Sequence, residues 1–406
     1  MVTNIFKANI KISIRSLKYF GFALILLFSD ILRNGNLNLI YMFGILIIFS
    51  HLIKKRYFYR IQIQYMIPLL GIMLVFLVFT DQPFTLIKMI VYLAKMLINI
   101  ALFSFFQKSF GEARVKDCMR CVIFVLSIIL FSALIFHNNS VLWRLNDPYN
   151  FFSKTRLQLL FSEPSVLGFF VGILLIFLFY SLIEFGIDRL CMFGLLVSLL
   201  CLILSFSLSG IVYTAVAVLY LVTVKFLRQL VKPKINVRIL VCVLIFTSAL
   251  FFILVTENDI SNRIAAILSG TDGSFNYRWY ASTESLRSIL SKTNYLGLGF
   301  GNMNTAEGIS LLSSVGIDNI FANSFLYFIA EAGILGIFYL FFILTTCFKN
   351  IKKNGCSKRH DCAELKMALL IFVFVSQIAG GYFTDPLIWC LYGIICSDIK
   401  RNNLEI

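Results

Sequence analysis

Long apolar segments separated by short polar ones run through the whole chain. A helix needs about 20 apolar residues to cross the hydrocarbon core of a bilayer. These segments approach that length, and they lack the alternation of apolar and polar positions that barrel strands show. The pattern predicts about twelve transmembrane helices. Their approximate bounds are 17–32, 37–53, 62–80, 84–106, 119–137, 161–183, 190–206, 208–224, 239–256, 321–347, 367–381 and 385–398.

Composition places this pattern in a membrane. The 406 residues are 59% hydrophobic and only 14% charged, and their mean hydropathy is +0.88. A soluble domain cannot bury so much apolar surface, whereas lipid can solvate it, provided that helices satisfy the backbone hydrogen bonds internally. We therefore expect an all-α polytopic membrane protein that forms a single integral membrane domain over residues 1–406.

The basic residues are distributed as a membrane topology requires. Lys and Arg gather in alternate loops, at 54–60, 108–120, 225–238 and 349–366, as is typical of the cytoplasmic side. This distribution predicts that both termini are cytoplasmic. The net charge of +16 is then mainly a topology signal, although nucleic-acid binding is a second interpretation. No cleavable signal peptide is expected, because the first apolar segment lacks a clear small-residue cleavage site.

Cysteine usage fits the same topology. None of the ten cysteines lies in 138–160 or 257–320, the two larger loops predicted outside, so no structural disulfide is expected. Cys118, Cys121, Cys356, His360 and Cys362 could hold zinc across two cytoplasmic loops. Reduced, unliganded thiols are the simpler interpretation.

The segment 257–320 is long for a loop without structure, so it is expected to be functional. It contains an amphipathic helix with Trp279, Leu286 and Leu290 near one face, for which Asn276 is a candidate cap. Such a helix would lie on the membrane surface or close over a cavity. Alternatively, it simply packs on the bundle.

Five arginines fall in the outer loops. Arginine keeps its charge and can grip a phosphate with two parallel hydrogen bonds, so the set favours an anionic substrate. Contacts with lipid headgroups, or ion pairs with Asp259, Asp272 or Glu284, are the structural alternative. The arginines are Arg144, Arg156, Arg263, Arg278 and Arg287.

An acid stands at the start of the sixth predicted span. Ser162 is its candidate cap, which would put Glu163 and Pro164 in the first helical turn, where both residue types are tolerated. Glu163 could equally take a proton from a hydroxyl nucleophile or pair with Arg156. If the helix extends upstream, positions 156 and 163 share a face.

Several polar groups lie within or beside other predicted spans. Glu331 lies eight residues after Asn323, and an ionisable residue at that depth is a functional candidate. A carboxylate bonded to a neighbouring helix is the alternative. Lys88 and Lys95 could pair with an acid or reach a pyrophosphate. Two turns, "TNYLGLGFGN" (293–302) and "SFSLSG" (205–210), serve either a ligand or only the backbone.

In this order, these pieces resemble the Wzy-type polymerases of the O-antigen ligase and polymerase superfamily. The similarity spans roughly 156–340. It consists of Glu163, Ser165 and Gly168, the serine turn before Gly210, "RWYASTESLRSILSKTNYLGLGFGN", and "NSFLYFIAEAGILG". The chain departs from the pattern at Ala322, where ligases carry a His, and at Gly210, where an Arg often follows. The missing His favours a polymerase. His137 is a distant candidate to replace it.

The resemblance implies a GT-C-like membrane fold and a metal-independent glycosyltransferase that needs no cofactor. It implies undecaprenyl-pyrophosphate-linked glycans as donor and acceptor, a site facing the periplasm from the bacterial inner membrane, and possible contact with a chain-length regulator. Catalysis would fall to Arg156, Glu163 and Arg278. Substrate binding would fall to Ser165, Arg263, Trp279, Tyr280, Arg287, Asn323 and Glu331.

Two other functions share these features. An O-antigen ligase would transfer the finished glycan to a different acceptor. A lipid-linked oligosaccharide flippase, which is a transporter, would also have about twelve spans and charged cavity residues. Flippases usually show two related halves, and the sequence shows none.

Overall fold

A computed structural model describes residues 21, 23–28, 39–54, 58–112, 115–145, 155–186, 188–230, 244, 248, 259–313, 323–355 and 362–399. The elements of the first half are α1 (Leu39–Lys54), α2 (Phe58–Phe79), α3 (Leu86–Glu112), α4 (Val115–Ile135), β1 (Trp143–Arg144), β2 (Arg156–Leu157), α5 (Pro164–Phe185), α6 (Arg189–Leu204) and α7 (Leu208–Leu230).

The second half is also helical. Its elements are α8 (Asp259–Leu268), α9 (Gly273–Asn276), a π-helical turn (Tyr277–Ala281), α10 (Ser282–Lys292), α11 (Ala306–Ser313), α12 (Ser324–Ala332), α13 (Ile334–Gly355), α14 (Ala363–Ala379) and α15 (Pro386–Ile395).

The all-α membrane class is confirmed. Within the described residues, five helices are long and apolar enough to cross a bilayer, namely α3, α4, α5, α7 and α13, and four shorter apolar helices accompany them. The predicted total of about twelve spans is not confirmed, partly because the ranges 17–32 and 239–256 lie largely outside the described residues. Large apolar side chains on α2, α4 and α13 are exposed, as lipid-facing positions would be.

Helix α5 lies at the centre of the bundle. Most of its side chains are buried, and it packs against α6, α7 and α14. Helix α15 joins this group to α3, which also packs on α1 and α2. Helix α5 begins at Pro164 because proline is tolerated at the first helical position, where its missing N–H costs nothing.

Small residues let α5 and α7 cross closely. A Cβ added at Gly210 would lie 2.8 Å from the Cα of Gly168, and one added at Gly168 would lie 2.9 Å from the Ser207 Oγ. One turn further along, Gly172 sits against Thr214 and Phe372. Such contacts between small residues are typical of helix crossings in membranes. The first turns of the two helices are therefore held side by side.

A two-stranded hairpin closes one end of this group. Trp143 of β1 pairs with Leu157 of β2, and Arg144 pairs with Arg156. The indole of Trp143 donates to the Ala133 carbonyl at 2.8 Å, which anchors the hairpin to the end of α4. This end also carries the turn 205–207 and the helices of 259–313.

Ion pairs around the buried Glu364 fasten the opposite end. Lys225 of α7 contacts Glu184 of α5 and also Glu364 of α14, the latter at 2.9 Å. Arg228 contacts the same Glu364. Three helices are thus joined by side chains of opposite charge, where an unpaired charge would be costly.

Candidate functional site

Arg156 is bound to the turn that joins α6 to α7. Its Nε donates to the Ser205 carbonyl at 3.1 Å, and one terminal nitrogen donates to the Phe206 carbonyl at 3.4 Å. A cation suits this position because the carbonyls at the end of a helix carry partial negative charge. Arg156 therefore fixes the serine turn through its backbone.

The serine turn is internally hydrogen-bonded. Ser205 and Ser207 are buried, and the Ser205 Oγ donates to the Leu202 carbonyl at 2.7 Å. The Ser207 Oγ accepts from the Gly210 N–H at 3.2 Å and lies 3.3 Å from the Ser209 Oγ. These contacts support the backbone-satisfying interpretation for the first two serines. Ser209, by contrast, is only partly buried.

Glu163 is exposed directly above the crossing of α5 and α7. It occupies the cap position of α5, but its side chain makes no capping hydrogen bond and instead accepts from the Ser165 Oγ at 3.0 Å. The prediction that Ser162 caps the helix was therefore wrong. The predicted shared helical face of 156 and 163 was wrong as well, because Arg156 lies in a strand and the helix starts only at Pro164.

Arg278 faces the same region from the outer helices. It lies in the π-helical turn, is half-buried, and its charge acts on the Tyr213 hydroxyl of α7, which lies beside the Ser209 side chain. Among the described residues, Arg278 has no carboxylate partner within ion-pair distance. Arg156 and Glu163 thus lie at the starts of α7 and α5, and the charge of Arg278 reaches Tyr213 one turn further along α7.

The predicted amphipathic helix exists, with two differences. It starts at Gly273, because the Asp272 carboxylate accepts from the Phe275 N–H at 2.6 Å and so caps it; Asn276, the predicted cap, lies inside the helix. Its buried face is formed by Ser282, Ser285 and Ile289. Trp279 is 45% exposed, whereas Leu286, predicted near the same face, packs against the buried cluster around Ile289.

The aromatic and basic side chains near Arg278 face outward. Trp279 and Tyr280 of the π-helical turn are 45% and 61% exposed. Arg287, also on this helical stretch, is exposed. Arg263 lies on α8, and its side chain is outside the described residues. For Trp279, Tyr280 and Arg287, the described part of the chain shows no side-chain hydrogen bond or ion pair.

The glycine-rich turn is built into the bundle. Gly297, Gly299 and Gly301 have φ values between +75° and +80°. An added Cβ would lie 2.8 Å from the Lys88 carbonyl at Gly301 and 2.7 Å from the Phe76 ring at Gly299. Only glycine meets both the left-handed conformation and the close approach. The turn is therefore a packing element.

This turn completes a broken helix. Helix α12 ends at Gly333 and α13 begins at the next residue. The N–H groups of Leu298 and Gly299 bond the carbonyls of Ala330 and Glu331 at 2.9 Å, and the Ile334 N–H bonds the Tyr295 carbonyl at 2.9 Å. Backbone groups freed by a break inside a membrane protein need such partners. The prediction of one uninterrupted span over 321–347 was therefore wrong.

Glu331 and Asn323 are buried by this arrangement. One oxygen of Glu331 accepts from the Gly301 N–H at 3.0 Å, and the charge of Lys95 acts on the carboxylate. The Asn323 side chain caps α12 by accepting from the N–H groups of Phe325 and Leu326 at 3.1 Å. Both side chains thus have structural partners, and their predicted role in substrate binding stays a prediction.

Several polar groups escaped the sequence analysis. Tyr213 lies inside an apolar helix and was not considered, although it follows the serine turn by one helical turn. Asn302 is buried, and its side chain accepts from the Thr85 N–H at 2.8 Å, which ties the glycine-rich turn to the start of α3. The signal for Asn302 was its place directly after three alternating glycines. His137, which the sequence analysis did name, lies against Trp143 with ring centroids 4.6 Å apart and the rings tilted by 38°.

The possible zinc ligands are not assembled in the part of the chain that the structure covers. Cys118, Cys121 and Cys362 form no disulfide within the described residues, while Cys356 and His360 lie outside them. No group of three His, Cys, Asp or Glu side chains suited to a metal ion occurs within the described ranges.

The model of the O-antigen ligase family matches residues 193–341. This segment contains α6, the serine turn, α7, the outer helices with Arg278 and the broken helix, whereas Arg156 and Glu163 precede it. No curated protein matches the chain. The matched segment points to a glycosyltransferase-like enzyme that acts on O-antigen. It supports placing the chain in the superfamily of O-antigen ligases and polymerases.

Proposed function

We propose that this protein is an O-antigen polymerase, a glycosyltransferase that joins undecaprenyl-pyrophosphate-linked repeat units at the periplasmic face of the inner membrane. One observation carries the proposal: Glu163 is exposed above the crossing of α5 and α7, beside the turn held by Arg156, and the charge of Arg278 reaches Tyr213 in the second turn of α7. A carboxylate and a cation at this end of two packed helices suit a reaction with a diphosphate leaving group.

The reaction assigns a role to each charged group. A hydroxyl of the acceptor sugar attacks the anomeric carbon of the donor, and the bond between that carbon and the lipid pyrophosphate breaks. Glu163 accepts the proton of the hydroxyl, while Arg278 stabilises the charge that develops on the departing diphosphate. No metal is needed if the guanidinium supplies this stabilisation. Arg156 contributes by holding the serine turn, since its donors already bind carbonyl oxygens.

The outward-facing residues fit a glycan chain. Trp279 and Tyr280 present aromatic faces on which sugar rings can pack, and Arg263 and Arg287 add positive charge along the path to a diphosphate. Ser165 holds the Glu163 carboxylate through its hydroxyl. A chain-length regulator would contact this same end of the bundle.

A purified-protein assay with lipid-linked repeat units tests the proposal. A ladder of lengthening products on a gel identifies a polymerase. Transfer of a glycan to lipid A core identifies a ligase, and movement across a bilayer without new bonds identifies a flippase. The preference for a polymerase rests on Ala322, which stands where ligases carry a His.

Arg278→Ala is the informative variant. Loss of one preorganised donor to a developing anion typically costs about 100- to 1,000-fold in rate, and that loss is expected here. Arg120→Ala is the matched control, because Arg120 is an exposed arginine at the opposite end of the bundle. Equal product formation by both variants at equal protein level would contradict the proposed role of Arg278.

A further inference from the structure

We propose that Glu331 is a positioning residue: its buried carboxylate locks the glycine-rich turn onto the broken helix and so fixes the helical stretch that carries Arg278. The functional consequence of this lock rests on the proposed glycosyltransferase activity, whereas the lock itself does not. It differs from the substrate-binding role that the sequence predicts for Glu331.

The lock has a backbone part and a side-chain part. The backbone of 298–299 bonds the carbonyls of Ala330 and Glu331, as would two short strands. The Glu331 side chain also accepts a hydrogen bond from the Gly301 N–H, two residues further along the turn, at 3.0 Å. One residue of α12 thereby holds the turn at two separate points.

Burial makes the side-chain part specific. Glu331 is 1% exposed. A carboxylate in so apolar a place is costly unless hydrogen bonds compensate for its lost hydration, and the Gly301 N–H supplies one at 3.0 Å. The side chain therefore links α12 to the turn through a hydrogen bond shielded from water.

The turn is continuous with the helix that bears Arg278. Thr293 ends α10, and its Oγ1 donates to the Ile289 carbonyl at 2.8 Å and accepts from the Gly297 N–H at 3.1 Å. Ile289 is buried against Leu298, Met303, Tyr327 and Ala330. A shift of the turn therefore moves α10, and with it the π-helical turn, relative to α7.

A pair of distance probes tests the lock directly. Spin labels are attached to a ketone-bearing amino acid introduced at Asn138 and at Thr283, two exposed positions, so that the native cysteines stay unlabelled. Glu331→Ala should broaden the distance distribution between the labels. It should also lower product formation by up to about 100-fold, the loss typical of an ångström-scale misplacement. Glu284→Gln, an exposed carboxylate on α10, should change neither measurement.

A conservative substitution separates the hydrogen bond from simple packing. Glu331→Gln keeps an oxygen for the Gly301 N–H, so it should broaden the distance distribution less than Glu331→Ala does. Equal broadening by the two variants would overturn the role of this hydrogen bond.

Two results would overturn the proposal as a whole. If Glu331→Ala and Glu331→Gln both keep the wild-type distance distribution, the carboxylate does not position the outer helix. If activity alone is lost under that condition, Glu331 acts on the substrate instead. Absence of any glycosidic product from the wild-type protein would refute the proposed function, yet the distance measurements would still decide whether the lock exists.

Discussion

The serine turn and the glycine-rich turn lie at the same end of the bundle and use their polar groups in opposite ways. Around the serine turn, Glu163 is exposed and Arg278 has no carboxylate partner within the described residues. At the glycine-rich turn, Asn302, Asn323 and Glu331 are buried and bonded to backbone N–H groups. The two polar turns look alike in the sequence, but the charged groups around the serine turn are accessible, whereas those at the glycine-rich turn hold the backbone in place.

The largest expected effect separates the two regions by activity. Glu163→Gln should lower turnover by about 100- to 10,000-fold, the usual contribution of a general base. The thermal midpoint should stay unchanged, because the Glu163 side chain caps nothing. The matched control is Asp188→Asn, another exposed carboxylate at a helix cap position without a capping hydrogen bond. Full activity of Glu163→Gln would exclude it as the base.

The next prediction concerns Gly333, where the broken helix packs against the glycine-rich turn. Gly333 has φ +66°, and an added Cβ would overlap the Tyr295 carbonyl. Gly333→Ala should destabilise the protein by about 2–5 kcal/mol, because the left-handed backbone and the overlap both cost energy. Gly381→Ala isolates the first cost, since Gly381 has φ +81° and open space around it. In detergent, the thermal unfolding midpoint of Gly381→Ala should be clearly higher than that of Gly333→Ala.

A smaller effect is expected at the crossing of α5 and α7. Gly210→Ala would push a methyl group into the backbone of Gly168, 2.8 Å away, at a cost of about 1–3 kcal/mol. It should also reduce activity, since it moves Glu163 relative to Tyr213. Gly71→Ala places a methyl group in open space within α2 and should change stability by about 1 kcal/mol or less. Equal unfolding midpoints for the two variants would contradict the close crossing.

The smallest effect is expected at Asn323, the residue that caps α12. Asn323→Ala should cost about 1 kcal/mol, the value of a lost helix cap. Asn323→Asp keeps the capping oxygen, so both stability and product formation should remain close to wild type. Normal unfolding with a large loss of activity in Asn323→Asp would instead indicate that this side chain contacts the substrate.

Part of the site was accessible from sequence because charge in an apolar chain is conspicuous. Arg278, Glu163 and Arg156 were predicted to act in one site, and that assignment stays a prediction. Glu163 lies at the start of α5, and the charge of Arg278 reaches Tyr213 of α7. Two donors of Arg156 bind carbonyl oxygens of the serine turn, a contact that the sequence did not predict. Tyr213 was missed, since a tyrosine within an apolar helix gives no signal until a charged neighbour is known.

The sequence by itself determined that the chain folds as membrane helices, because its apolar segments leave no other way to satisfy the backbone in lipid. It also fixed which ionisable residues had to be hydrated, paired or used. Only the tertiary structure decided which of these residues are buried, hydrogen-bonded or exposed, since burial and hydrogen bonding depend on which helix lies opposite. The break at Gly333 exists only because a distant turn supplies N–H donors to the Ala330 and Glu331 carbonyls, and no local pattern reports on a partner some thirty residues away along the chain.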